Sequence, residues 1–270
     1  MKKILLIGCG HMGNALFVKW LSSNQYKLTV VDPIKYSSLK NKYNKNKRVH
    51  ILKTISDVES ISKFDFIILA TKPIDLNNAL RELLKTNINY QTTLVSIVAG
   101  KKIKMFQKKL NKKKNIFRVM PNMPAFIGES MNCITSSTNS SFVKRKEVNK
   151  LFSYTGKNIF LDNENQIDMA TAVSGSGPGF IYNIIDAMQK AAEKIGFKKN
   201  VAKTLVEETF KGSINLMLNE KITPEKLVKT VATKGGTTEA GIKVMRKNRI
   251  HEIFVEILKA SYEKAKEQGK

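Results

Sequence analysis

Cysteine is scarce in this chain, and long apolar segments are absent. The 270 residues include two cysteines, Cys9 and Cys133, which are too few for a disulfide framework. No uninterrupted apolar run reaches the roughly 18 residues that a membrane-spanning helix needs, and the short apolar run after Met1 leads into a glycine loop instead of a signal-peptide cleavage site. The sequence therefore predicts a globular protein of the reducing cytoplasm, without a bridge between the two cysteines.

Acidic residues and arginine are also scarce. The chain has 47 lysine and arginine residues against 22 aspartate and glutamate residues, so its formal net charge is +25, yet only 6 of the cationic residues are arginines. Nucleic-acid readers usually rely on arginine forks and interleave aromatic residues that stack on bases. Neither pattern is present. We therefore interpret the charge as a lysine bias on solvated faces, with weak non-specific polyanion binding as its side effect.

Sequence patterns for metal sites and for a hydrolase nucleophile are missing as well. There is no Cys/His cluster at metal-ligand spacing, and His50 and His251 stand alone in the sequence. The segment GSGPG at 175–179 has a proline where a nucleophile elbow needs its strand-to-helix turn. We predict no bound metal and no serine hydrolase.

Two types of pattern divide the chain. Over the first 160 residues apolar runs alternate with polar, helix-like segments, which is typical of strand-helix-strand units in a parallel sheet. After residue 163 apolar residues recur at three- and four-residue spacing, with Pro178 and Pro224 where helices begin and Gly196 where one ends. We predict an α/β domain at 1–163 and an all-helical domain at 164–270. The predicted strands are 3–8, 28–32, 49–52, 64–70, 92–99, 115–120, 132–137 and 157–161.

The glycine-rich segment GCGHMG follows the first predicted strand. Gly8, Gly10 and Gly13 permit a tight turn, close approach of a pyrophosphate to the backbone and close packing of helix on strand. Asp32 ends the second strand, where it can accept both ribose hydroxyls of NADH, while Lys35 offsets its repulsion of the 2′-phosphate of NADPH. The first domain is therefore predicted to be Rossmann-like and to bind NADPH or NADH, with Asp32 favouring NADH.

Further segments at strand ends are candidates for ligand contact, because open parallel sheets bind ligands at the carboxyl ends of their strands. They are ATKP at 70–73 and VSIVAG at 95–100. Lys72 is a candidate general acid or cofactor contact, although its neighbour Pro73 is equally typical of a simple strand-exit turn. The two prolines around Asn122 predict a stiff, extended loop. Ser56, in the sequence SDVE, is predicted to be a helix N-cap.

Two glycine segments lie in the helical part. SGSG at 174–177 predicts a turn before the helix at Pro178, with glycines that let backbones pack closely. GGTT at 235–238 predicts a helix N-terminus whose free N–H groups bind a carboxylate without a cationic side chain. A threonine N-cap after a flexible turn is the alternative for GGTT.

These motifs, in this order and spacing, resemble the pyrroline-5-carboxylate reductase family almost from end to end. RVMPNMPAFIGES, AVSGSGPGFIYNIIDAM and TKGGTTEAG are the specific ones, whereas the glycine fingerprint is shared by many dehydrogenases. The resemblance implies reduction of 1-pyrroline-5-carboxylate to L-proline, the last step of proline biosynthesis. It also implies a helical dimerisation domain that interlocks with a partner subunit, often within a larger assembly of dimers.

The motifs and the resemblance together give a set of expected site residues. Those for the cofactor are Gly8, Cys9, Gly10, His11, Met12, Gly13, Asp32, Lys35, Ala70, Thr71, Lys72, Pro73, Ile97, Val98 and Ala99. Those for the substrate are Glu164, Gly235, Gly236, Thr237 and Thr238, completed by helices of the neighbouring subunit. The chain departs from the family at His11, where asparagine is usual, and at Thr233 and Lys234, where a Ser-Pro pair is common. We assign His11 to loop packing or a backbone contact, in preference to catalysis.

Reduction of a cyclic iminium needs positioning more than a strong acid-base pair. Our hypothesis is that the GGTT amides hold the substrate carboxylate and that Thr238 is the catalytic residue, with its hydroxyl bonded to the ring nitrogen. Another imine or hydroxyacid reductase of the same architecture is an alternative, but the helix GFIYNIIDAM offers Asn183 without the lysine that hydroxyacid dehydrogenases carry. A basic polyanion-binding protein is the alternative outside enzymes.

Overall fold

The computed structural model describes residues 1–110 and 115–269. The chain forms two compact units, one made of Met1–Ser176 with Ser261–Lys270 and the other of Gly177–Ala260. The predicted domain boundary at residue 163 lies before this division and stays a prediction.

A single sheet organises the first unit. Its order is β3-β2-β1-β4-β5-β6-β7-β8, and every neighbouring pair is parallel except β6 and β7. The parallel sheet was predicted, but the antiparallel pair was not. It arises because a short loop with one 3-10 turn at Met123–Phe126 joins the two strands, whereas a parallel pair needs a longer crossover. The strands of the described residues are β1 Lys2–Ile7, β2 Tyr26–Val31, β3 Val49–Leu52, β4 Phe66–Leu69, β5 Thr93–Ser96, β6 Ile116–Met120, β7 Ser130–Ser136 and β8 Gly156–Phe160.

Helices cover the sheet in the first unit and make up the second. Pro178 lies in the first turn of α7, Pro224 begins α9, and Gly196 follows α7 with a φ of +115°, as the sequence predicts for helix starts and stops. The helices of the described residues are α1 His11–Ser22, α2 Tyr36–Tyr43, α3 Leu76–Leu84, α4 Ile103–Lys109, α5 Phe142–Ser153, α6 Gln166–Ala170, α7 Gly177–Lys194, α8 Lys199–Glu220, α9 Pro224–Val231, α10 Thr237–Lys247 and α11 Ile250–Gln268.

The core of the first unit has two apolar layers because alternate residues of each strand face opposite sides of the sheet. Leu6 belongs to the layer that contains Trp20 and Phe152. Leu5 belongs to the other layer, with Leu80 of α3. The indole N–H of Trp20 donates to the Leu151 carbonyl at 2.9 Å, so the polar atom of this fully buried side chain has a partner.

Two local predictions are wrong. Ser56 is not an N-cap; it lies inside a 3-10 turn at Ile55–Asp57, and the Thr54 N–H donates to the Asp57 carboxylate at 2.8 Å in the capping position. The SGSG segment does not form a turn. Residues Thr171–Gly175 form a π-helix between α6 and α7, with the Ser176 N–H donating to the Thr171 carbonyl at 2.8 Å.

Over the described residues, we find no helix with the length and apolar character needed to cross a membrane. The same residues contain no group of three or more His, Cys, Asp or Glu side chains placed to hold a metal ion. Cys9 and Cys133 are both free and buried.

Candidate active site

The glycine loop between β1 and α1 is tightly built against the exit of β4. Gly8 has a φ of +94°, and a Cβ at this position would lie 2.7 Å from the Ala70 carbonyl oxygen. A Cβ on Gly13 would overlap the Gly8 carbonyl oxygen. Side chains are therefore excluded at both positions, which fixes the loop and lets α1 pack against the strand.

Gly10 differs from its two neighbours because its open side faces no atom within 4 Å. It is the N-cap of α1, and the first turn of that helix has no acidic side chain. Free helix N–H groups and the positive end of the helix dipole favour an anion here. The residues present fit the pyrophosphate of a dinucleotide. Among the other predicted loop residues, Cys9 is buried, Met12 is half-buried, and His11 is exposed at the start of the helix.

Asp32 is directed at the backbone of its own unit. Its Oδ2 accepts from the Cys9 N–H at 2.7 Å, and its Oδ1 accepts from the N–H groups of Ile34 and Lys35 at 2.9 and 2.8 Å. Asp32 as a whole residue is 7% exposed. It thus ties the exit of β2 to the glycine loop, a role that sequence reasoning missed, and its predicted contact with ribose stays a prediction.

The Cys9 thiol is not a nucleophile. Burial and, to a lesser extent, the nearby charge of Asp32 raise its pKa to about 12, and the smaller effect of Lys35 opposes them. The thiol is therefore protonated throughout the physiological range and fills space behind the loop.

The exits of β4 and β5 line the same carboxyl edge of the sheet. In the described part of the chain, the Thr71 hydroxyl is buried and has no hydrogen-bond partner, which marks a polar atom that a ligand can satisfy. Lys72 and Pro73 are exposed, and Ala70 is half-buried. On the neighbouring strand exit Val98 is buried, its N–H donating to the Ser96 hydroxyl at 3.2 Å, while Ile97 and Ala99 are half-buried. The structure thus brings the predicted cofactor residues of four strand exits, those of β1, β2, β4 and β5, to one edge.

Glu164 is half-buried and lies in an ion cluster with the buried residues Arg118 and Asp168. Its Oε1 accepts from Arg118 Nη1 at 2.8 Å and from the Ile103 N–H at 2.7 Å. Arg118 Nη2 also lies 3.6 Å from Asp168 Oδ1, and the arginine side chain is 4% exposed. The cluster joins β6, the start of α4 and α6. Sequence reasoning missed Arg118 and Asp168, although a lone arginine within the apolar strand IFRVM is a detectable signal.

Asn122 connects the stiff loop after β6 to the π-helix. Its Nδ2 donates to the Ser174 carbonyl at 3.0 Å, and its Oδ1 accepts from the Met131 N–H at 2.9 Å. Gly175 of the π-helix faces this loop too, since a Cβ there would lie 3.0 Å from Met120 Cε. The π-helix is thus held by a specific side chain, as π-helical turns at functional sites often are.

The GGTT segment belongs to the second unit and begins α10. Gly235 has a φ of +75°, and Gly236 is the N-cap. The Gly235 N–H donates to Glu239 Oε2 at 2.9 Å, and the Gly236 N–H donates to the Thr233 carbonyl at 3.0 Å. The bond from Gly235, followed by the one from Lys243, lowers the pKa of the Glu239 carboxyl.

These two hydrogen bonds reduce the number of GGTT amides that are free to bind a carboxylate. Two of the four GGTT amides are occupied within the chain, whereas those of Thr237 and Thr238 have no acceptor among the described residues. The Thr238 side chain is exposed, as is Lys234. The segment therefore offers two free amides and a hydroxyl at a helix N-terminus.

Known proteins match the chain over its length. The family model for the pyrroline-5-carboxylate reductase dimerisation domain matches residues 164–268, and the model described as NADP oxidoreductase coenzyme F420-dependent matches residues 3–100. Pyrroline-5-carboxylate reductase 2 of Bacillus subtilis is 31% identical over 273 residues, covering 99% of this chain and 95% of the relative.

Solved structures of pyrroline carboxylate reductases are also similar to this chain. The crystal structure of Plasmodium falciparum pyrroline carboxylate reductase with NADP bound has a TM-score of 0.86 and 27% identity, covering 100% of this chain and 98% of the other. A pyrroline-5-carboxylate reductase from Coxiella burnetii has a TM-score of 0.86 and 28% identity, with 99% and 98% coverage. This chain belongs to the pyrroline-5-carboxylate reductase family.

Proposed function

We propose that this chain is a pyrroline-5-carboxylate reductase, which reduces the C=N bond of 1-pyrroline-5-carboxylate to L-proline with NADPH or NADH. The observation that carries the proposal is that one chain combines a glycine loop open to a pyrophosphate at Gly10 with a helix N-terminus that has free amides at Thr237 and Thr238. A nicotinamide cofactor supplies the hydride when bound.

The residues of the first unit bind and orient the cofactor. The N-terminus of α1 binds the pyrophosphate, since its backbone N–H groups need no rearrangement to face an anion. Asp32 fixes this loop by accepting the Cys9 N–H. The Thr71 hydroxyl, which is buried without a partner among the described residues, hydrogen-bonds the cofactor at the β4 exit. Lys72 contacts the cofactor from the exposed side of this exit.

The residues of the second unit bind the substrate. The free amides of Thr237 and Thr238 hold its carboxylate, and the Thr238 hydroxyl bonds to the ring nitrogen as it becomes an amine. Gly235 and Gly236 shape the loop, and Glu239 holds it closed through the Gly235 N–H. Glu164 belongs to the first unit and has two partners there, so we assign it a positioning role beside its predicted contact with substrate.

The match to the dimerisation domain supports a homodimer. We further propose a larger assembly of dimers and a cytoplasmic location. The exposed apolar side chains of α8, such as Leu205, Leu216 and Leu218, are 46%, 52% and 60% exposed and suit burial against another subunit.

Initial rates of NADPH and NADH oxidation by the purified full-length protein test the proposal. Pyrroline-5-carboxylate should sustain oxidation of at least one cofactor, with proline as product, and a hydroxyacid with its oxidised cofactor should give no reaction. Absence of oxidation with the pyrroline would overturn the proposal, and turnover of the hydroxyacid alone would support the alternative dehydrogenase.

A further inference from the structure

The connection between β3 and β4 differs from the other parallel crossovers of the sheet because it has no full helix. The connection from β3 to β4 consists of two 3-10 turns, at Ile55–Asp57 and Ile61–Lys63, instead of a full helix. A crossover of this kind usually carries a helix that covers the sheet. The short turns therefore leave a cavity of about 290 Å³ beside the strands.

The strand register directs polar residues into this cavity from one face. Lys3 pairs with Lys27, and Thr29 pairs with His50, so all four side chains point to the same side of the sheet. All four residues line the cavity. The cavity thus has a rigid polar wall formed by three adjacent strands.

The charges around the cavity are mainly positive. Its lining includes Lys3, Lys27, Lys47, Arg48 and Lys63 against two carboxylates, Asp57 and Glu59. Within the described ranges, none of the five cations forms an ion pair. Arg48 donates to the Leu21 carbonyl through Nη1 at 3.1 Å. Five cations against two carboxylates leave an excess of positive charge around one concavity, which favours a multiply charged anion.

The rest of the lining is apolar except for Ser60. Leu52, Val58 and Phe64 are half-buried and face the same cavity. A combination of apolar wall and convergent charged groups is typical of sites for small organic molecules, and the volume is near the lower end of their range.

The cavity is separate from the candidate cofactor site. Lys3 is at the amino end of β1, whereas Gly8 follows its carboxyl end. Five steps along an extended strand place these two residues about 17 Å apart. The lining also reaches Leu52, whose carbonyl accepts from the Asp32 N–H at 3.3 Å, but it includes none of the predicted cofactor residues. A ligand held by Lys3 and Lys27 therefore lies at the opposite end of β1 from the glycine loop.

We propose that this basic cavity binds small molecules carrying two or more phosphate groups. The phosphates contact the lysines of β1 and β2 together with Lys47 and Arg48, and an organic part packs against Phe64. Inorganic pyrophosphate and a nucleoside diphosphate share the phosphate chemistry, and their affinities distinguish the two sources.

Calorimetric titration of the full-length protein, with NADPH saturating the first site, tests the proposal. Pyrophosphate and ADP are the probes. The double variant Lys3→Gln/Lys27→Gln should weaken binding of both at least about 10-fold while leaving NADPH oxidation and the thermal midpoint unchanged. Tighter binding of ADP than of pyrophosphate would support an organic ligand, and equal affinities would support inorganic pyrophosphate.

The matched control is Lys150→Gln/Lys157→Gln, which removes two exposed lysines of α5 and β8 outside the cavity. It should leave both affinities unchanged. Equal weakening by the two double variants would assign the binding to the general charge of the chain and overturn the proposal. So would the absence of binding of either probe to the unmodified protein.

Discussion

The two regions that carry the candidate chemistry differ in how they are supported. At the cofactor edge of the first unit, the glycine loop is fixed by a fully buried core and by the buried carboxylate of Asp32. Around GGTT in the second unit, α7, α9 and α10 have no buried residue at all. A unit whose helices leave their apolar faces exposed depends on another chain to cover them. The first region is thus stabilised within the chain, and the second depends on the dimer.

The variant with the largest expected effect disrupts the dimer on which the second unit depends. Leu205 and Leu216 are 11 residues apart on α8, which places them about three turns apart on one face. The double variant Leu205→Glu/Leu216→Glu should convert the dimer to monomer and lower reductase activity at least about 100-fold, because each lost apolar contact is worth about 1.5 to 3 kcal/mol and occurs in both subunits. Analytical ultracentrifugation measures the change.

The matched control for this variant is Thr204→Glu/Asn215→Glu, which adds the same charge at two exposed polar positions of the same helix. It should remain dimeric. A dimer that survives in the leucine variant would show that this face of α8 is not the interface.

The next largest effect tests how much the buried Arg118 contributes to the stability of the first unit. Arg118→Met should lower the free energy of unfolding by about 3 to 5 kcal/mol, because it leaves Asp168 and Glu164 without their buried cation. Urea unfolding of the variant measures this loss. Arg81→Met, which removes an exposed arginine of α3, is the control and should cost less than about 0.5 kcal/mol.

A variant of Glu164 can distinguish its positioning role from contact with the substrate. Glu164→Gln should also destabilise the protein, by less than Arg118→Met, since the amide oxygen can still accept from Ile103. If the variant instead raised the KM for pyrroline-5-carboxylate without a change in stability, contact with substrate would be its main role.

Smaller effects are expected from two variants of the glycine loop. One tests how the loop packs within the protein, and the other tests its contact with the cofactor. Gly8→Ala should destabilise the protein by about 1 to 3 kcal/mol, since the added Cβ meets the Ala70 carbonyl at 2.7 Å with φ at +94°. Gly10→Ala meets no atom within 4 Å. It should keep the thermal midpoint and weaken NADPH binding about 10-fold, as followed by fluorescence titration. Unchanged NADPH affinity in Gly10→Ala would mean that the cofactor does not approach this loop.

Sequence reasoning recovered what depends on local pattern. Strand alternation and the helix spacing after residue 163 predicted the sheet and the helical part, and the glycine loop was predicted because its φ and its close contacts demand glycine. The reversal at β7 was missed although the loop between β6 and β7 is too short for the helical crossover that a parallel pair needs. Ser56 was predicted as a cap because SDVE has the spacing of a capping box. The preceding TISD has the same spacing, and only the backbone conformation selects Thr54.

Polar contacts between residues far apart in the sequence could not be predicted. The bond from Asp32 to Cys9 spans 23 positions, that from Arg118 to Glu164 spans 46, and that from Asn122 to Ser174 spans 52. Their partners are set by which strand exits become neighbours, so a single sequence predicts the polar residue without its partner. At Asp32 this matters most, because the same residue type fits either a ribose contact or a loop tie.

The smallest effect concerns the second region. Thr238→Ala should lower kcat/KM for pyrroline-5-carboxylate about 10-fold, because one substrate hydrogen bond is lost, and Thr238→Ser should restore most of the rate. The thermal midpoint should not move, since the Thr238 hydroxyl has no hydrogen bond within the described chain. Thr230→Ala is the control on the exposed surface of α9, where the hydroxyl bonds only to the Lys226 carbonyl. Steady-state kinetics that showed Thr238→Ala equal to the unmodified enzyme would remove Thr238 from the reaction and leave the free amides as the contribution of GGTT.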